Sequence, residues 1–165
     1  MNDPTIVAID PGLTGAVAFM RPARMDDLDV HDMPVLGSEV NAHALRDMLA
    51  MYKPSAAIIE KVGPMPRDGV MAAWRFSASY SVAKTVCMLF DIPVGLISSS
   101  QWKKEMQLPG GPAGKEASRL RAVQLFPAQA AMFARKKDHN RAEAALLCWQ
   151  AARKFNSEKA WNSAA

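Results

Sequence analysis

The chain has 165 residues, of which half are apolar and 22% charged; that suits one soluble globular domain with a single core and excludes a disordered or collagen-like chain. Lys and Arg number 20 against 16 Asp and Glu, a net charge of +4, which permits a polyanionic partner without demanding one. The two cysteines, Cys87 and Cys148, lie in apolar runs without a C-x-x-C pair; this excludes a disulfide scaffold, argues against a zinc module and predicts buried free thiols in a reducing cytoplasm.

The N-terminal residues show no basic segment ahead of a long apolar run, so no signal peptide is visible. No stretch approaches the roughly 18 apolar residues of a membrane span, and no membrane partner is expected. Thr5 to Asp10 (TIVAID) reads as a strand ending in an acid, and Pro11-Gly12 turns the chain. Thr14 to Met20 reads as a second strand in a hairpin with the first. Arg21 to Asp27 reads as a polar turn, and Leu28 to Met33 alternates like a half-buried third strand. Asn41 is placed to cap a helix reaching Tyr52, with Leu45, Met48 and Leu49 on one face. Ala56 to Glu60 (AAIIE) is a buried strand ending in a second acid. After a Gly/Pro loop, Asp68 to Phe90 is helical and mostly apolar, which predicts cover on more than one side. Pro93 to Ile97 is a short strand, and the serines from Ser98 open a short helix with Trp102, Lys103 and Lys104. Pro109 to Pro112 breaks it; Gly114 to Phe126 reads as a basic helix and Asn140 to Phe155 as the last one.

The order β-β-β-α-β-α-β-α-α-α predicts an α/β domain: a mixed five-stranded sheet, three antiparallel strands followed by strands alternating with helices, with helices on both faces. One domain is expected over 1–155, with 156–165 as a frayed tail.

Asp10 and Glu60 each end an apolar strand, and ligand sites of open α/β sheets gather outside such ends. Two converging carboxylates repel and attract a cation, and an oxygen-only ligand set suits Mg²⁺ or Mn²⁺. A third feature is Lys136-Lys137-Asp138-His139-Asn140-Arg141-Ala142-Glu143 at the entry of the last helix. Asn140 and Glu143 have capping-box spacing. Alternatively this helix start supplies further metal ligands, because Glu143 precedes an apolar run and a buried carboxylate needs a partner. At about 100° per residue, His139 lies roughly 40° and Asn140 roughly 60° from Glu143 around the helix.

The ordered set Ile6-Val-Ala-Ile-Asp10-Pro-Gly-Leu-Thr-Gly15, Ile58-Ile-Glu60, Ser100-Gln-Trp-Lys103-Lys104, Gly114-Lys115 and Arg141-Ala-Glu143 resembles the RuvC family of Holliday-junction resolvases, within the RNase H-like superfamily. The short helix start Asp138-His-Asn-Arg-Ala-Glu-Ala144 is most similar to the phage-borne branch. The resemblance implies a homodimeric, metal-dependent crossover-junction endodeoxyribonuclease acting on branched DNA, four-way junctions above all, in a bacterial or phage-infected cytoplasm. It implies catalytic metal ligands at Asp10, Glu60 and Glu143 plus one more acid. The family places that acid three residues before the last, where this chain has Asn140. Asp138 is the nearest carboxylate and is favoured for its charge, with His139 and Asn140 as alternatives. Two Mg²⁺ ions about 4 Å apart, with Mn²⁺ as a substitute, would drive in-line hydrolysis to a 5′-phosphate and a 3′-hydroxyl.

Lys103, Lys104, Lys115, Arg119 and Arg121 surround one Gly/Pro-rich turn. Such a charge run is commonly a solvated face, but beside an acidic centre it also suits a phosphate backbone. The first four are the candidate DNA contacts. Met65, between Pro64 and Pro66, is a candidate wedge between bases. Competing readings are a nuclease for flaps or RNA–DNA hybrids and a branched-DNA binding module without chemistry. Asp10-x-Gly12-x-Thr14-Gly15 also resembles the phosphate turn of actin-like ATPases and sugar kinases, but no second Gly-rich phosphate turn appears, and no nucleotide cofactor is expected.

Overall fold

The computed structural model describes residues 3–61 and 69–156. Strands β1 (Ile6–Asp10), β2 (Ala16–Arg21) and β3 (Arg24–Asp32) are antiparallel neighbours. A two-strand hairpin, β4 (Val35–Leu36) and β5 (Glu39–Val40), leads to helix α1 (Ala42–Tyr52). Then come β6 (Ala56–Lys61), α2 (Val70–Leu89), β7 (Val94–Ser98), α3 (Ser99–Glu105), α4 (Gly111–Leu125), two 3₁₀ segments (Pro127–Phe133 and Lys136–Asp138) and α5 (His139–Asn156). The main sheet has the order β3-β2-β1-β6-β7, with β1, β6 and β7 parallel.

Side chains alternate across this sheet, as a pleated backbone requires. Ile6, Ala8 and Ala56 face one core with α4 and α5; Val7, Ile9, Ala57 and Ile59 face the other with α1 and α2. Small residues Ala142, Ala144, Ala145, Ala151 and Ala152 are buried on α5 and let it lie close to the sheet. Asn41 caps α1 as expected, its side chain accepting from the Ala44 N–H at 3.1 Å. Helix α2 buries Ser79, Ala83, Val86 and Cys87 and leaves Val70, Met71 and Trp74 exposed at its start. Both cysteines are free and buried. Among the described residues no helix is long and apolar enough to cross a membrane.

Several boundaries differ from the sequence reading. Strand β3 begins at Arg24, inside the segment predicted as a polar turn. Its early residues Asp26 and Asp27 fall within the register shift at Met20/Arg21, between the pairs Met20–Leu28 and Arg21–Arg24, where charge conceals the strand pattern. The β4–β5 hairpin escaped the sequence reading because two-residue strands carry no periodicity. Helix α4 starts at Gly111 with Pro112 in its first turn, where a missing N–H costs nothing. The Asn140 capping box is not formed: the Lys136–Asp138 turn runs directly into α5, which starts at His139. The tail residues 157–165 and Met65 lie outside the described residues.

The β1–β2 turn is closed by Gly15 N–H donating to the Gly12 carbonyl at 2.8 Å. A Cβ at position 15 would stand 2.1 Å from the Asp10 carbonyl oxygen. Gly15→Ala should therefore push the turn away from β1 and cost about 1–3 kcal/mol. Urea denaturation of wild type and variant measures this, and an unchanged midpoint would refute it.

Candidate active site

The register aligns Ile9 with Ile59 across the parallel pair β1–β6, so Asp10 and Glu60 follow at adjacent carboxyl ends. Each is an even step from the residues that face α5, namely Ala8 and Ile58. Alternation therefore turns both carboxylates to the α5 side. There Glu143, in the second turn of α5, meets them. One ligand oxygen from each of Asp10, Glu60 and Glu143 lies within 4.8 Å of the other two. Glu60 and Glu143 are buried.

Each carboxylate has its own support. The Gly12 N–H donates to Asp10 Oδ1 at 3.3 Å. Trp102, fully buried, donates its indole N–H to Glu60 Oε1 at 3.1 Å. Lys103 Nζ donates to Glu143 Oε1 at 2.7 Å, and Ser118 Oγ donates to the same oxygen at 3.4 Å. Desolvation of the enclosed Asp10 carboxyl, and next the charge of Glu60, raise its pKa from 3.8 to about 7; the Gly12 hydrogen bond opposes them. An oxygen-only donor set at this separation fits a hard divalent cation, and Asp10, Glu60 and Glu143 are the residues that would hold it.

Asp138, expected as the fourth ligand, is not brought to this cluster. Its carboxylate turns back to Arg135, accepting from Nε and Nη2 at 2.8–3.1 Å and from the backbone N–H at 2.9 Å. The Arg135 hydrogen bonds hold it below the ordinary carboxylate range. The cause is the 3₁₀ turn, which makes Asp138 a capping acid instead of a loop residue reaching the sheet. His139 bonds through Nδ1 to the Lys136 carbonyl. Asn140 donates Nδ2 to the Thr14 carbonyl at 2.5 Å and so ties α5 to the turn that follows Asp10.

The expected DNA contacts divide. Lys104 and Lys115 are exposed on α3 and α4. Lys103 is instead buried at 9% exposure and belongs to the acidic cluster. Arg119 is engaged by Glu116 and by the Phe133 and Ala134 carbonyls, where it secures the 3₁₀ segment. The sequence reading missed Trp102 and Ser118 as partners of the acids. Ser118 was traceable, since Gly114, Ser118 and Ala122 are spaced four apart and form the buried stripe of α4.

The chain matches no protein-family model and no curated protein. Among solved structures it is similar to Thermus thermophilus RuvC in complex with a Holliday junction substrate, at TM-score 0.63 and 16% identity, covering 96% of this chain and 98% of that one. A second Thermus thermophilus RuvC structure aligns at TM-score 0.60 and 14% identity, covering 93% of this chain and 96% of that one. The α/β architecture is thus the RuvC, RNase H-like fold, with the mixed five-stranded sheet expected from the sequence.

The Asp10 shift has a consequence for stability. Between about pH 4 and pH 7 the folded chain keeps a proton that the unfolded chain has lost, so stability falls as pH rises through that window. The slope approaches about 1.4 kcal/mol per pH unit. In EDTA, the thermal midpoint of the wild type should drop more steeply from pH 4.5 to pH 7, taken as roughly the edges of that window, than that of Asp10→Asn. Parallel curves would show that Asp10 carries no such penalty.

Proposed function

We propose that this chain is a divalent-metal-dependent, structure-selective endodeoxyribonuclease that resolves four-way and other branched DNA. The observation that carries this reading is the convergence of Asp10, Glu60 and Glu143 within 4.8 Å at the carboxyl ends of parallel strands. Divalent cations bound there would activate a water for in-line attack and stabilise the leaving 3′ oxygen, giving a 5′-phosphate and a 3′-hydroxyl. Asp10 is suited to be the shared ligand, because β1 pairs with the strand that carries Glu60 and the Asp10 carboxylate faces the helix that carries Glu143. Trp102 and Ser118 orient the acids, because each spends its donor on one carboxylate oxygen. Lys104 and Lys115, exposed beside the site, are suited to hold the phosphate backbone electrostatically.

The similarity to a RuvC structure solved with a Holliday junction supports branched DNA as the substrate. The exposed Val70, Met71 and Trp74 at the start of α2 support a homodimer, whose two-fold axis would present two sites to paired strands. The phage-type branch rests on the sequence of the α5 entry. One observation favours the binding module without chemistry: the cluster has three carboxylates and a lysine, with Asp138 diverted to Arg135.

The deciding experiment offers a synthetic four-way junction, a flap, a linear duplex and an RNA–DNA hybrid with Mg²⁺, Mn²⁺ or EDTA. Symmetric paired nicks in the junction, absent in EDTA, are expected. Preferred cutting of the flap or the hybrid would move the substrate within the superfamily, and binding without cutting would leave the module. Asp10→Asn should abolish cutting and retain junction binding. Lys115→Ala should weaken binding for all sequences and lower the salt slope by about one unit; an unchanged slope removes Lys115 from the phosphate contacts.

A further inference from the structure

We propose that Lys103 is the resident cation of the three-carboxylate cluster in the metal-free protein, and that a divalent ion enters by displacing its ammonium from Glu143. The inference rests on the metal-dependent reading above in taking a divalent cation as the ligand of the cluster. It goes beyond that reading in assigning the lysine a place in metal loading.

A buried lysine is rare unless paired, and Lys103 is buried against a carboxylate that would itself be costly to leave alone. Its Nζ is 2.7 Å from Glu143 Oε1. The oxygens of the cluster lie within 4.8 Å of one another, and an ion among them would sit about 2.0–2.6 Å from each ligand oxygen. Two cations would then share the Glu143 carboxylate at close range, and their repulsion favours exchange over coexistence. The lysine is built to move. Its charge rides on a flexible four-carbon stem, and the ammonium rests 5.3 Å from the Trp102 ring centre without a second carboxylate partner among the ion pairs of the described residues. On the α4 side its neighbour is Gly114, where even a Cβ would stand 3.7 Å from Nζ, so no side chain at that position blocks its exit. A displaced ammonium emerges between the exposed Lys104 and Lys115, where it adds to the field that attracts a phosphate. Metal and DNA then assist each other's binding, as linkage requires when one ligand frees a contact for the other.

Calorimetric titration of the free protein with Mn²⁺, without DNA and at one fixed pH, tests this without turnover. Lys103→Met should bind Mn²⁺ about tenfold or more tightly than wild type, the scale set by one charged hydrogen bond. Lys103→Arg, which keeps a cation at Glu143, should bind no more tightly than wild type. Equal or weaker binding by Lys103→Met overturns the inference, and so does tighter binding by both variants, which would indicate loosened packing. Equal binding by wild type and Lys103→Met leaves the nuclease reading standing, whereas absence of binding by either overturns that reading together with the inference. Nitrogen NMR of lysine ammonium groups in the wild type needs no variant. A protected Lys103 signal should be present in EDTA and lost at saturating Mg²⁺; its persistence overturns displacement.

Discussion

Three carboxylates forced within 4.8 Å of one another repel, and much of the surrounding structure serves to hold them there. The repulsion is visible in Asp10, whose pKa is raised to about 7 by desolvation and by Glu60. It is relieved in three ways: a backbone N–H at Asp10, an indole N–H at Glu60, and an ammonium with a hydroxyl at Glu143. The side-chain donors come from α3 and α4, so the cluster is also a point where α3 is joined to β6 and both α3 and α4 are joined to α5. A site of this kind stores unfavourable energy that a cation releases, which is the physical basis for reading it as a metal centre.

The rest of the fold keeps the strain local. Parallel pairing of β1 with β6 puts two acids side by side, and alternation aims both at one face. Alanines on α5 bring Glu143 down to them. Asn140 and Arg141 hold the start of that helix to the Thr14 carbonyl and to Asp32 on β3. These ties fix the start of α5, and Glu143 with it, over the strand ends.

Much of this arrangement was legible in the sequence, and the failures have physical causes. Asp10 and Glu60 were traceable because each ends an apolar run in the sequence ahead of a Gly/Pro-rich stretch. Glu143 was traceable because a carboxylate in an apolar helix must find a partner. The place of Asp138 was not legible, because it depends on whether Lys136–Asp138 is loop or 3₁₀ turn, and short polar segments carry no periodic signal. Lys103 looked like its neighbour Lys104, since both are lysines on one short helix; one residue of rotation, about 100°, separates the buried ammonium from the exposed one.

The sequence by itself determined the α/β order, the acids at the two strand ends and the apolar faces of the helices. Those features are local: they follow from side-chain period and from turn residues within a few positions of each other. Only the tertiary structure decided that α5 lands with Glu143 over Asp10 and Glu60, that Trp102 and Lys103 turn inward to the acids, and that Asp138 turns away to Arg135. The inward turn of Trp102 and Lys103 depends on how far each helix is rotated and slid against the sheet, which is set by packing between residues 40 or more positions apart, whereas the Asp138–Arg135 contact follows from the 3₁₀ turn at the entry of α5.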